Sequence, residues 1–221
     1  MTMSRWSLLL WDYDGTIVDS VPAIIAAHHV ATERVLGIRL DETAIRERIG
    51  EPAHKRIAAL VPECADEVYA IFSEVIGSLA PEATPVFDGL TDMIKDLADA
   101  GVVNALVTSR PRALVLPALV YFGLDTCFSS FVGLEDTAEH KPSGEPILHA
   151  IAALGAAISG SVYIGDAVVD VKAAHSAGTE SIAVTWGAGR RSALEAEGPT
   201  IIASTPDELA AILGVRDEAA A

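Results

Sequence analysis

The run Asp12-Tyr13-Asp14-Gly15-Thr16 sets two carboxylates one residue apart, directly after the apolar stretch Ser7–Trp11. Two carboxylates so close, desolvated together, cannot both stay ionised without a cation. Three further short runs carry complementary chemistry. Thr108-Ser109-Arg110 follows Val102–Val107 and offers hydroxyls beside a cation. Gly165-Asp166 follows Val162–Ile164, with Asp170 one helical turn further along the same face. Between them lies Lys141-Pro142. Each run alone is an ordinary loop, turn or helix-start signal. Together, a hydroxyl, an ammonium and the four carboxylates of Asp12, Asp14, Asp166 and Asp170 make a compact site for Mg²⁺ and a phosphate group.

The elements that must position these groups are legible as alternation. Ser7–Trp11, Val102–Val107, Val162–Ile164, Ile182–Val184 and Ile201–Ala203 read as short buried parallel strands. Helical stripes separate them: Leu90, Met93, Ile94 and Leu97; Ile147, Ala150, Ile151 and Leu154; Leu209, Ile212 and Leu213. The pattern predicts an α/β fold with a doubly wound, Rossmann-like parallel sheet, where ligands bind outside the carboxyl ends of the strands. From Ser20 to Pro85 the stripes are helical and no strand is predicted. Asp41 is expected to cap a helix carrying Ile45 and Ile49 and ended by Gly50. Val68, Ile71, Phe72, Val75, Ile76 and Leu79 give the cleanest helical period. The expected organisation is a core of residues 1–19 and 87–221 with an inserted all-helical cap domain, residues 20–86.

Composition narrows the partners. The chain has 221 residues, Lys+Arg 15 against Asp+Glu 31, and 51% hydrophobic residues, enough to exclude an intrinsically disordered chain. A net charge of −16 repels nucleic-acid phosphates and anionic lipid, so neither nucleic acid nor membrane is an expected partner. A small phosphorylated metabolite is compatible, because a metal ion and one lysine reverse the sign locally. Cys64 and Cys127 form no metal or redox spacing, and no apolar run approaches the roughly 18–20 residues of a membrane span. A cytoplasmic monomer or homodimer is expected.

DYDGT, the Thr108 strand end, Lys141-Pro142 and GDAVVD resemble the four motifs of the haloacid dehalogenase-like hydrolase superfamily. The helical insert resembles its type I cap. LLLWDYDGTIVDS, Gly50-Glu51-Pro52, the Gly165–Gly178 run and WGAG…PDELAAIL are similar to the phosphoglycolate phosphatase-like branch. The resemblance implies a Mg²⁺-dependent phosphatase acting on a small phosphomonoester, of the 2-phosphoglycolate or sugar phosphate type. It implies Asp12 as nucleophile, Asp14 as acid and base, Thr108 as a phosphoryl hydrogen-bond donor and Lys141 as the neutralising cation. It further implies metal binding by Asp12, the Asp14 carbonyl and Asp166, supported by Asp170. Two positions depart from the pattern. Ala167 stands where the family often has a hydroxyl, and the second proline after Lys141 is displaced to Pro146. An acid at Asp14 argues against a dehalogenase, and Ile24 stands where the similar mutases carry histidine.

Substrate choice is assigned to the cap, with Glu51 reaching in and Ser109 and Arg110 at the core strand end. Arg46, Arg48, Lys55 and Arg56 surround Glu51; they read as a solvated helix face, the alternative being that they hold a substrate anion. His28 and His29 lie off the register of the similar mutases' histidine, and His54, His149 and His175 have no partner pattern. Two other classes use the same residue types. A phospho-acceptor signalling domain also combines Asp, Thr, Lys and Mg²⁺ on a doubly wound sheet, but places its acceptor on the third strand and has no helical cap. A catalytically silent binding relative would not need all four motifs intact.

Overall fold

The computed structural model describes residues 5–215. Strands β1 (Leu8–Trp11), β2 (Val103–Val107), β3 (Ser130–Val132), β4 (Ser161–Gly165), β5 (Glu180–Val184) and β6 (Ile201–Ala203) form one sheet in the order β3-β2-β1-β4-β5-β6. Every ladder is parallel. The helices are α1 (Val21–Leu36), α2 (Glu42–Arg46), α3 (Ala53–Leu60), α4 (Ala65–Gly77), α5 (Leu90–Asp99), α6 (Arg112–Tyr121), α7 (Glu145–Ala153), α8 (Val168–Ala177), α9 (Arg191–Ala196) and α10 (Pro206–Leu213).

Strand β1 is apolar at every position because helices cover both of its faces. Leu9 and Trp11 point into one layer with Leu90, Ile94 and Leu209. Leu8 and Leu10 point into the other with Ile147, Ile151 and Ala174. This is the period-two alternation of a pleated strand, and each fully buried leucine contributes about 1.5–3 kcal/mol. The chain departs from β1 to β2 on one side and reaches β4 on the other, so β1 lies at the point where the winding reverses. Strand β3 is absent from the sequence reading. It is three residues long at the sheet edge, with Ser130 and Phe131 only half-buried, so it leaves no apolar run.

Helices α1 to α4 build the insert around an apolar cluster of their own, including Val21, Ile24, Ile45, Ile57, Val68 and Phe72. The insert joins the core through a two-stranded neck. Val18 and Val86 bridge antiparallel, the Asp19 amide donates to Pro85 O at 2.8 Å, and the Phe87 amide donates to Ile17 O at 3.0 Å. Asp41 caps α2 by accepting from the Ala44 amide at 3.0 Å. The helix nevertheless ends at Arg46, short of Gly50. Bonds from the Arg48 amide to Ile45 O and from Ile49 to Arg46 O tighten the chain into a three-residue turn there. That turn aims Gly50-Glu51-Pro52 at the core, where a Cβ on Gly50 would stand 2.6 Å from Val169. Among the described residues, no helix is long and apolar enough to cross a membrane.

Candidate active site

The parallel register places β1 between β2 and β4, with Trp11 opposite Leu106 on one side and Ile164 on the other. The residues just beyond these strands therefore meet. Asp12 is held there by its amide, which donates to Ile164 O at 2.9 Å. Lys141 Nζ reaches Asp12 Oδ1 at 2.8 Å and Asp170 Oδ1 at 2.7 Å. Tyr163, on β4, also receives from Lys141 at 3.1 Å and donates to Val107 O at 3.1 Å. Thr108 is buried, with its amide donating to Val132 O at 2.9 Å and its Oγ1 accepting from the Arg110 amide at 3.2 Å.

Asp166 sits in a cradle of backbone. Its Oδ2 accepts from the Ala188 amide at 2.6 Å and its Oδ1 from Thr16 Oγ1 at 3.2 Å. The approach is close enough that only glycine fits on two sides. A Cβ on Gly15, whose φ is +74°, would stand 2.3 Å from Asp166 Oδ2, and one on Gly187 would stand 2.2 Å from it. The Trp186 indole donates to Thr16 O at 3.1 Å and ties the loop after β5 to the loop after β1.

Asp12, Asp166 and Asp170 are all buried and present oxygens within 4.8 Å of one another. Three carboxylates against the single ammonium of Lys141 leave two negative charges in a buried setting that screens them poorly. The titration behaviour follows. Burial lifts the Asp12 carboxyl well above its ordinary value, against the opposing pull of Lys141. Burial, then Asp170, pushes Asp166 up to about 7. Burial draws Lys141 down, but Asp12 and Asp170 outweigh it and hold the ammonium well above its usual range. Asp12 Oδ2 is buried without a hydrogen-bond partner. A buried anion trio with an orphaned oxygen fits a divalent, oxygen-seeking cation. Both Asp170 oxygens already accept hydrogen bonds, Oδ1 from Lys141 and Oδ2 from the Ala167 amide at 2.9 Å.

The cap closes this corner into a cavity of about 60 Å³. Asp12, Asp14, Thr108, Ser109 and Arg110 line it from the core, and Glu51, Arg56, Tyr69 and Phe72 from the cap. Asp14 stands apart from the buried trio. Arg110 Nε donates to its Oδ2 at 2.8 Å, and Arg110 Nη2 forms an ion pair with Oδ1 at 2.7 Å, although Oδ1 itself accepts no hydrogen bond. Ser109 Oγ donates to Gly50 O at 2.7 Å and so links core to cap. Glu51 lines the cavity while its carboxylate pairs with Arg48 at 3.2 Å.

The expected basic face around Glu51 is not uniformly solvated. Arg46 Nη1 donates to Gly187 O at 3.2 Å, Lys55 is exposed, and Arg56 is buried. Arg56 Nε donates to His28 Nε2 at 2.9 Å and its Nη1 to Glu51 O at 3.1 Å. The sequence reading gave no role to Tyr163, Thr16, Trp186 or the His28–Arg56 pair. A tyrosine inside an otherwise aliphatic strand was the available signal for Tyr163. His28 and Arg56 come from separate helices, and no local pattern links them.

Comparison with known proteins places this arrangement among relatives. A family model described as haloacid dehalogenase-like hydrolase matches residues 9–184. The pyrophosphatase PpaX of Bacillus velezensis is 26% identical over 216 residues, covering 98% of this chain and all (100%) of its own. The phosphoglycolate phosphatase of Escherichia coli is 29% identical over 230 residues, covering 93% of this chain and 91% of its own. The crystal structure of a hydrolase from Pseudomonas syringae shares the fold, with a TM-score of 0.83 at 23% identity over 93% of this chain and 97% of that one.

Proposed function

Because the chain belongs to the haloacid dehalogenase-like hydrolase family, we propose that it is a Mg²⁺-dependent phosphatase. Its substrate is a small phosphomonoester of the 2-phosphoglycolate or sugar phosphate type, cleaved through an aspartyl-phosphate intermediate. The observation that carries this reading is the partnerless Asp12 Oδ2, buried in an anion trio and lining the same cavity as Asp14 and Thr108.

Asp12 Oδ2 attacks phosphorus, and the bond from phosphorus to the ester oxygen breaks. Asp14 protonates the departing alkoxide, then takes a proton from the water that cleaves the aspartyl phosphate. Thr108 donates to a phosphoryl oxygen. Lys141, fixed by Asp12, Asp170 and Tyr163, offsets charge on the phosphoryl group without moving. Asp12, Asp166 and the Asp14 carbonyl would hold Mg²⁺, with Asp170 in support. Bound there, the cation supplies the charge neutralisation that lets a carboxylate approach a phosphate dianion. Arg110 keeps the Asp14 carboxylate in one orientation, and the closed cap excludes bulk water.

The test is phosphate release from a panel of small phosphomonoesters, with Mg²⁺ and with excess EDTA, beside an Asp12→Asn variant. Release that needs the metal and vanishes in the variant is the expected outcome. Absence of release from every member by folded, Mg²⁺-loaded protein would overturn the reading.

A further inference from the structure

The cap carries a cation whose charge the protein does not answer. Arg56 is 4% exposed, and its hydrogen bonds run to neutral acceptors, His28 Nε2 and Glu51 O. The acids whose charge it feels are Asp14 and Glu51, and these are already paired with Arg110 and Arg48. Among the described residues no carboxylate forms an ion pair with Arg56. His28 supplies no counter-charge in either protonation state, and burial, then Arg56, drives its imidazole down to about 3, so that it is a neutral acceptor. Phe72 adds an apolar contact, with the guanidinium carbon 5.5 Å from its ring centre, and Arg110 adds a like charge. A buried, unpaired charge is strongly destabilising, so it points to an anion that arrives from outside.

That anion is not the reacting phosphoryl group. Arg56 lines the cavity from the cap, and the core acid whose charge it feels is Asp14, the proposed proton donor to the leaving group, not the nucleophile Asp12. The phosphoryl group has Thr108 and Lys141 of its own at the core end. With about 60 Å³ available, and about 10–15 Å³ needed per water-sized unit, the space beyond the phosphorus admits only a short tail. We propose that Arg56 binds a second anionic group on the leaving-group side, so that the enzyme selects small phosphates bearing a carboxylate or a further phosphoryl group over those with neutral tails. The inference rests on the phosphatase reading above and names its substrate class. It makes Arg56 the specificity-determining residue, held in place by a neutral histidine that accepts but does not compete for the anion.

The experiment compares 2-phosphoglycolate, pyrophosphate and ethyl phosphate as substrates of the wild type, Arg56→Met and Arg56→Lys. The same compounds are then titrated calorimetrically, with Mg²⁺, into Asp12→Asn and into Asp12→Asn combined with Arg56→Met. The wild type is expected to favour an anionic tail over ethyl phosphate in kcat/KM. Arg56→Met should shrink that ratio by roughly 10- to 100-fold, the range for losing a charge-assisted hydrogen bond, and Arg56→Lys should restore part of it. Whichever anionic compound loses most identifies the tail as carboxylate or phosphoryl. A ratio unchanged by Arg56→Met, or ethyl phosphate as the best wild-type substrate, overturns the inference. The titrations separate the two readings. An Arg56-dependent preference in binding without turnover of any compound sustains the anion site and sinks the hydrolase. Turnover of ethyl phosphate without that preference does the reverse.

Discussion

Asp166→Asn should stabilise the metal-free protein, although it removes a proposed metal ligand. The folded pKa of Asp166 is about 7 against an ordinary 3.8. Between those values the folded chain holds a proton that the unfolded chain has released. Stability contributed by this group is therefore lost as pH rises from about 4 to about 7, and stays lost above it. At 1.36 kcal/mol per pKa unit, the loss amounts to about 4 kcal/mol. Asparagine removes the ionisation and keeps an oxygen for the Ala188 amide, while its amide group turns to Thr16 Oγ1, at a cost of about 1 kcal/mol for the altered pairing. A net gain of about 3 kcal/mol raises the melting temperature of a chain this size by roughly 6–12 °C. Mg²⁺ at about 100 times its Kd stabilises the wild type by about 2.7 kcal/mol, and should do little for the variant. Thermal melts followed by circular dichroism at about pH 8, in EDTA and in Mg²⁺, read all four states. A variant that melts at or below the wild type in EDTA, or responds to Mg²⁺ as strongly, would refute the claim that burial, reinforced by Asp170, raises the cost of ionising Asp166.

Other perturbations probe the positioning of the same groups. Gly187→Ala drives a Cβ to 2.2 Å from Asp166 and 2.3 Å from Gly15 O; urea denaturation should show a loss of about 2–3 kcal/mol, and an unchanged midpoint would mean the loop yields freely. Tyr163→Phe removes a buried hydroxyl that serves both Lys141 and Val107 O. It should cost about 1–3 kcal/mol and lower kcat about tenfold or less, since Lys141 keeps both carboxylates; a far larger kinetic loss would show that the tyrosine does more than position. His28 has a folded pKa of about 3, below its ordinary 6.5. Between those values the unfolded chain takes the extra proton, so stability falls as pH falls. Unfolding free energies of wild type and His28→Gln from denaturant titrations should thus diverge by about 1.4 kcal/mol per pH unit below about pH 6, and parallel curves would show that the buried imidazole titrates normally.

The chemistry-bearing core was legible because each of its parts is local in the chain. Asp12 and Asp14 follow a continuous apolar run, and Asp166 and Asp170 share one helix start, so residue type and spacing carry the information directly. Convergence of these pieces follows from the parallel sheet, whose strands all end on one side. What local pattern does not encode was missed. Strand β3 owes its existence to pairing with β2, with Ala105 opposite Ser130, rather than to its own three residues. Arg56 looked like one of four cations on a solvated helix, since burial of a guanidinium depends on how α1 and α3 pack. Helix α2 fell short of Gly50 because its last residues form tighter turns, which no apolar stripe announces. Local signals thus carry the proposed chemistry at phosphorus, while the proposed choice of leaving group rests on tertiary packing.

The two-stranded neck carries a consequence for how such a chain changes over generations. Its polypeptide leaves the sheet after Val18 and returns at Val86, and those two residues touch. Everything between them is thus an excursion whose ends are already joined, and the loop-closure cost of lengthening or shortening it grows only with the logarithm of its length. A deletion, duplication or exchange inside the insert leaves β1, and Asp12 beyond it, strung to their neighbours by the same bonds. With substrate choice in the insert, as proposed, inheritance can treat the reaction and the choice of reactant as separate cassettes. One is conserved by the geometry of a sheet; the other is free to be rewritten between two valines in contact.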